Sequence, residues 1–151
     1  MTKFIDRAAA TLILALLAAA CASGGRAGAL SWNVGEASET DAQEKTIEVL
    51  RKYFYEIERQ EDPPSIYVIT RWKSRHPFDD EIALGAVEAR TRFIVEARRG
   101  SQPLYTVRLR GENEVRIGDS FERIEATPEF RTYADELAEE LRTVLLMGIR
   151  R

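Results

Sequence analysis

The chain has 151 residues, of which 44% are hydrophobic and 31% charged, the length and composition of one globular domain. Twenty-two Lys and Arg against 25 Asp and Glu give a formal charge of −3, which argues against a nucleic-acid binder. One Cys and one His are too few for a Cys/His zinc site, which needs about four ligands, or for an intrachain disulfide.

Lys3 and Arg7 precede an uncharged, almost wholly apolar run from Ala8 to Ala20 that ends in small residues. This is the order of an export signal, expected over residues 1–20. Thirteen residues at about 1.5 Å each fall short of the roughly 30 Å hydrocarbon core, so a spanning helix is disfavoured. The sole thiol stands at the junction Leu17-Ala18-Ala19-Ala20-Cys21-Ala22. The junction resembles a bacterial lipobox, with Ala18 where Leu is usual and Leu17 one place early. That resemblance implies a diacylated Cys21, cleavage before it and acylation of the new amino group. The competing reading is a soluble exported protein cut after an Ala-x-Ala site, with Cys21 incidental. Ala22 is not the aspartate associated with inner-membrane retention, so the resemblance implies the outer membrane, facing the periplasm. Residues 21–37 are expected to hold the lipidated Cys and a flexible tether, Gly-rich over Ala22 to Ala29.

Residues 38–151 are expected to form the folded domain. Leu30 to Val34 offers a short strand that Gly35 ends. Thr40 with Gln43 reads as a capping box, and Ile47, Leu50, Phe54 and Ile57 share one helical face, predicting a helix from about Asp41 to Gln60 that Pro63-Pro64 stops. Ile66 to Trp72 is rich in β-branched and aromatic residues and reads as a strand. In Arg90 to Arg98, positions 91, 93, 95 and 97 alternate against mostly charged neighbours, predicting a strand with one buried face. Gly100-Ser101-Gln102-Pro103 supplies turn chemistry, and Leu104 to Arg110 returns with Tyr105, Val107 and Leu109 inward. Val115 and Ile117 suggest a fourth strand, with Phe121 and Ile124 as loop anchors. Thr127-Pro128-Glu129 is a strong helix start, followed by Phe130, Ala134, Leu137, Leu141 and Leu145 on one face, Gly148 as a stop, and Arg150-Arg151 at the negative end. The expected fold is a two-layer α+β domain, a three- to four-stranded antiparallel sheet under two helices in the order helix, strands, helix.

No GxSxG, P-loop or HExxH motif occurs, and no cofactor or metal is implied. A hydrolase would have to use His76 with Asp79 or Asp80, which read more simply as a solvated charged turn. Charge distribution says more. Between Ile66 and Arg110 nine Lys or Arg face five acids, whereas the chain after residue 20 carries −4. With Phe93 inward, Arg90, Arg92 and Arg98 share the outer face of their strand, and Arg108 and Arg110 that of the next. Such a face suits phosphate or carboxylate groups of a lipid, a glycan or an acidic protein. The competing reading pairs these arginines across strands with Glu88, Glu96, Glu112 and Glu114. Trp32 falls outside the strongly patterned elements and is the expected aromatic contact residue.

The lipobox, the strand ending in Thr70-Arg71-Trp72, the strand Arg90-Thr91-Arg92-Phe93-Ile94-Val95 and the closing helix resemble the helix-grip domains of BamC-type lipoproteins. The layout is also similar to that of LptE-like lipoproteins. The mature N-terminus lacks the long partner-binding stretch of BamC proteins. These resemblances imply a non-enzymatic accessory in envelope assembly or maintenance, held to the membrane by Cys21 and docking onto an envelope protein complex or an anionic lipid. An alternative is a small module holding an anionic amphiphile between sheet and helix, which requires a cavity lined by Val95, Val107 and Leu137.

Overall fold

The computed structural model describes residues 29–100 and 103–149. The signal at 1–20, Cys21, the tether up to Gly28, Ser101-Gln102 of the turn and Arg150-Arg151 lie outside the described residues. The chain order is β1 (Ala29–Ala37), α1 (Glu39–Lys52), β2 (Ile57–Glu61), β3 (Ser65–Thr70), β4 (Lys73–Arg75), α2 (Asp79–Ala83), β5 (Glu88–Arg99), β6 (Tyr105–Ile117), β7 (Ser120–Glu122) and α3 (Pro128–Ile149). The seven strands form one antiparallel sheet of order β1-β6-β5-β3-β2, with β4 on β5 and β7 on β6.

This corrects the expected three- to four-stranded sheet with two helices. The fold begins on a strand and adds a third, short helix. The missed strands, β2, β4 and β7, carry little alternation, whereas β1 extends the short strand expected over Leu30 to Val34. β1 occupies the end of the supposed tether and runs through Gly35, which is a bulge rather than a terminator: its φ is 120, the register shifts between Asn33 and Gly35, and the Asn33 carboxamide accepts from the Gly35 amide at 3.1 Å. β2 is an edge strand whose five residues are all partly or fully exposed, so hydrophobicity marks it only at Ile57. β4 and β7 have three residues each, too short for a period. The supposed fourth strand at Val115 is the continuation of β6, which runs for 13 residues.

The first helix also stops earlier than its periodicity suggests. Ser38, not Thr40, caps it, accepting from the Asp41 amide at 3.1 Å. It ends in a Schellman turn in which the Tyr55 amide donates to the Leu50 carbonyl at 3.0 Å and the Phe54 amide to the Arg51 carbonyl at 2.8 Å. The left-handed residue of that turn is Phe54, with φ 60 and 83% exposure, where glycine is usual. Phe54 therefore leaves the apolar face assigned to it, and Ile57 passes into β2.

Side-chain alternation in β5 sets the layers. Thr91, Phe93, Val95 and Ala97 are fully buried beneath α1 and α3, together with Val107 and Leu109 of β6 and Phe130, Ala134, Leu137, Leu141 and Leu145 of α3. Gly111 lies between Phe93 and Trp32, and a Cβ there would approach the Phe93 ring to 3.0 Å. Gly148 is not a stop but a contact: it lies inside α3, and a Cβ would meet the Asp41 carboxylate at 2.7 Å. α3 accordingly passes Trp32 near its start, through Asp135, and meets α1 at its end.

Candidate functional site

Among the described residues no long helix lies on the other face of the sheet, and β5–β6 register decides which charges meet there. Arg90 stands opposite Glu114, Arg92 opposite Glu112, Ile94 opposite Arg110, Glu96 opposite Arg108, and Arg98 opposite Thr106. All five arginines singled out from the sequence share this open face. They do not share one electrostatic state.

Toward the β7 side the arginines are neutralised. Arg90 donates twice to one Glu114 oxygen, at 2.8 and 2.5 Å, and its guanidinium lies between the rings of Phe121 and Trp72, 4.1 and 4.9 Å away. Arg92 pairs with Glu112 at 2.7 Å and stacks on Trp72 at 4.6 Å. Arg123 bridges both carboxylates, at 3.1 Å to Glu112 and 3.2 Å to Glu114. Arg110 approaches Glu112 at 3.5 Å, and its buried Nε has no hydrogen-bond partner. Arg116 pairs with Glu88 at 3.1 Å. Three cations thus surround the Glu112 side chain, which is 2% exposed.

Toward the β5–β6 turn the balance reverses. Arg98 is 80% exposed and touches Glu96 at 3.3 Å, a pair that screening makes weak. Arg99 and Arg108 are exposed and have no carboxylate partner among the described residues. Together with Thr106 and Glu96 these three arginines line a hollow of about 260 Å³. A second hollow of about 350 Å³ adjoins it through Glu96 and Arg98 and continues over Ser65, Tyr67 and Glu61. The first hollow holds three cations and one carboxylate, so an anionic group entering it finds free guanidinium donors.

Trp32 faces the covered side. It packs partly buried against the core and donates its indole N–H to Asp135 at 2.6 Å, fastening β1 to α3. Trp32, expected as an aromatic contact residue, is thus partly exposed with its indole N–H already engaged. Against the arginines of the open face lie Trp72, which sequence pattern placed at the end of a strand, and Phe121, expected as a loop anchor. Val95, Val107 and Leu137, the lining expected of an amphiphile cavity, are fully buried members of one contiguous core.

The covered face holds a polar cluster that no sequence motif marks. Arg75 donates to both oxygens of the fully buried Glu81, at 2.8 and 2.6 Å, and to Asn113 at 2.9 Å and Thr91 at 3.1 Å. Asn113 donates to Glu81 at 2.7 Å, as does the Phe78 amide at 2.9 Å. Every charge is met, as burial of an ion pair requires. Nearby, Asp80 accepts from the Glu129 amide at 2.9 Å and Glu129 from the Asp79 amide at 3.2 Å, so these acids tie α2 to the start of α3. His76 is exposed, and its carbonyl accepts from Arg75 at 3.0 Å.

Tyr55 and Lys73 titrate away from their ordinary ranges. Burial pushes the Tyr55 phenol up, helped by Tyr133, whose hydroxyl is 2.8 Å away. Burial lowers the Lys73 ammonium, which donates to the Tyr53 carbonyl at 2.8 Å and lies 4.9 Å from the Tyr55 ring centre. Among the described residues no three of His, Cys, Asp and Glu converge to hold a metal, and no helix is long and apolar enough to cross a membrane. The chain matches no protein-family model and no curated protein.

Proposed function

We propose that this chain is a lipid-anchored, non-enzymatic accessory of the bacterial outer membrane, facing the periplasm, whose open sheet face captures an acidic segment of an envelope protein. The anchor is Cys21, the sole thiol, at a junction of lipobox form. Two or three acyl chains there suffice for stable attachment without a spanning helix. The observation that carries the capture role is the cluster of Arg98, Arg99 and Arg108 around one hollow with a single opposing carboxylate.

Position favours a protein over the headgroups of the anchoring bilayer. Ala29, the first described residue after the tether, pairs with Glu112, while Arg108 and Thr106 pair with Asn33 and Glu36 farther along β1. The free arginines therefore lie toward the end of the sheet away from Ala29, where the chain enters β1. The filled core around Val95, Val107 and Leu137 supports a scaffold rather than a carrier of amphiphiles.

The test is crosslinking in intact cells followed by purification of the attached proteins, comparing the native chain with an Arg98→Gln, Arg108→Gln variant. Capture should fall at least tenfold, and unchanged capture overturns the docking role. Mass spectrometry of the mature polypeptide should show an acylated Cys21, and a bare thiol there overturns the anchor.

A further inference from the structure

The run Ile82-Ala83-Leu84-Gly85-Ala86-Val87, between α2 and β5, contains no charge, and four of its apolar side chains face solvent. Ile82, Leu84 and Val87 are 44%, 56% and 62% exposed. Single exposed apolar residues are ordinary on proteins, but three on one short turn form a knuckle that water does not favour.

The backbone of this knuckle is closed upon itself. The Gly85 amide donates to the Ile82 carbonyl at 2.8 Å and the Ala86 amide to the Glu81 carbonyl at 3.1 Å, a Schellman turn with Gly85 in the left-handed region at φ 92. The amides of Ile82, Leu84 and Val87 donate to Phe78, Glu81 and Arg116 at 2.9, 3.0 and 3.0 Å. Such a turn presents apolar side chains without offering unpaired amides, which is what a nonaqueous neighbour demands. The flanking acids are engaged: Glu81 with Arg75, Asp80 with the Glu129 amide, and Glu88 with Arg116.

Its place in the fold is the end of the sheet where the chain enters β1. Val87 is bonded to Arg116 of β6, and Ala29 pairs with Glu112 of the same strand, four residues away or about 13 Å. Eight Cα-to-Cα steps lead from Cys21 to Ala29, a reach of at most about 28 Å. Cys21 and the knuckle can therefore meet one bilayer. A second exposed apolar group among the described residues, Leu146, Met147 and Ile149, sits at the opposite end of β1, where Gly148 meets Asp41. We infer that Ile82, Leu84 and Val87 form a second contact with the membrane surface, setting the domain upright with the free arginines of the β5–β6 end directed away from the lipid. This rests on Cys21 as anchor, and its occupant is lipid rather than protein.

Hydrogen exchange of the full mature chain, read by mass spectrometry with and without vesicles of phosphatidylethanolamine and phosphatidylcholine, tests it. Exchange in peptides covering 82–87 should slow at least tenfold on vesicles, with no change over 146–149, and a Leu84→Asp, Val87→Asp variant should lose that protection while remaining vesicle-bound. Unchanged exchange at 82–87 with an acylated Cys21 overturns the inference and leaves the anchor standing. A bare Cys21 in the same digest overturns the anchor, while exchange at 82–87 still decides the knuckle. Protection seen in native membranes but not on pure lipid assigns the knuckle to a protein and overturns the lipid contact.

Discussion

Arg92 and Arg108 stand on the same face of neighbouring strands, yet Arg92 closes on a carboxylate only 2% exposed while Arg108 reaches none among the described residues. Arg75, on the covered face, goes further than either, with Glu81 wholly buried beside it. The three define a gradient from obligatory partner to free donor. Composition counts them alike, because net charge carries no information about register. The proposed docking role, by this contrast, is assigned to the end of the sheet where arginine exceeds acid.

The gradient can be broken step by step. Glu81→Ala leaves Arg75 buried without its counter-charge and should cost about 3–5 kcal/mol in chemical denaturation, the largest effect expected of any single carboxylate here. Glu112→Ala removes the acceptor shared by Arg92, Arg110 and Arg123 and should cost about 2 kcal/mol, less because those guanidinium groups retain water. Phe54→Gly should raise stability by about 1 kcal/mol by relieving a left-handed residue that α2 already fills with Gly85. Arg98→Gln with Arg108→Gln should shift unfolding by no more than about 0.5 kcal/mol. That last pair should nevertheless abolish partner capture, and capture by the native chain should weaken as salt rises. Loss of stability in the Arg98, Arg108 variant comparable to that of Glu112→Ala would erase the distinction between the two halves.

Strongly periodic segments were readable from the sequence. Pro128 opens α3, and Phe130, Ala134, Leu137, Leu141 and Leu145 all reach zero exposure, because a long amphipathic helix repeats its signal over six turns. The alternation of residues 91 to 97 in β5 likewise placed Arg90, Arg92 and Arg98 on one face. The spacing of Ile47, Leu50, Phe54 and Ile57 misled, since it fits a helix until the chain turns left-handed at Phe54 and Ile57 joins an edge strand. The packing of Trp32 was illegible for another reason: with little pattern around it, nothing local shows that Gly111 leaves room for its ring on the covered side.

By itself the sequence determined the capped closing helix and the inward residues of β5, both carried by neighbours in the chain. The seven-stranded sheet, the burial of Arg75 with Glu81, the neutralisation of Arg90 and Arg92, and the freedom of Arg108 were decided only in the tertiary structure. Each depends on which residue of one strand stands opposite which residue of another, and a shift of one position would exchange every partner and every face.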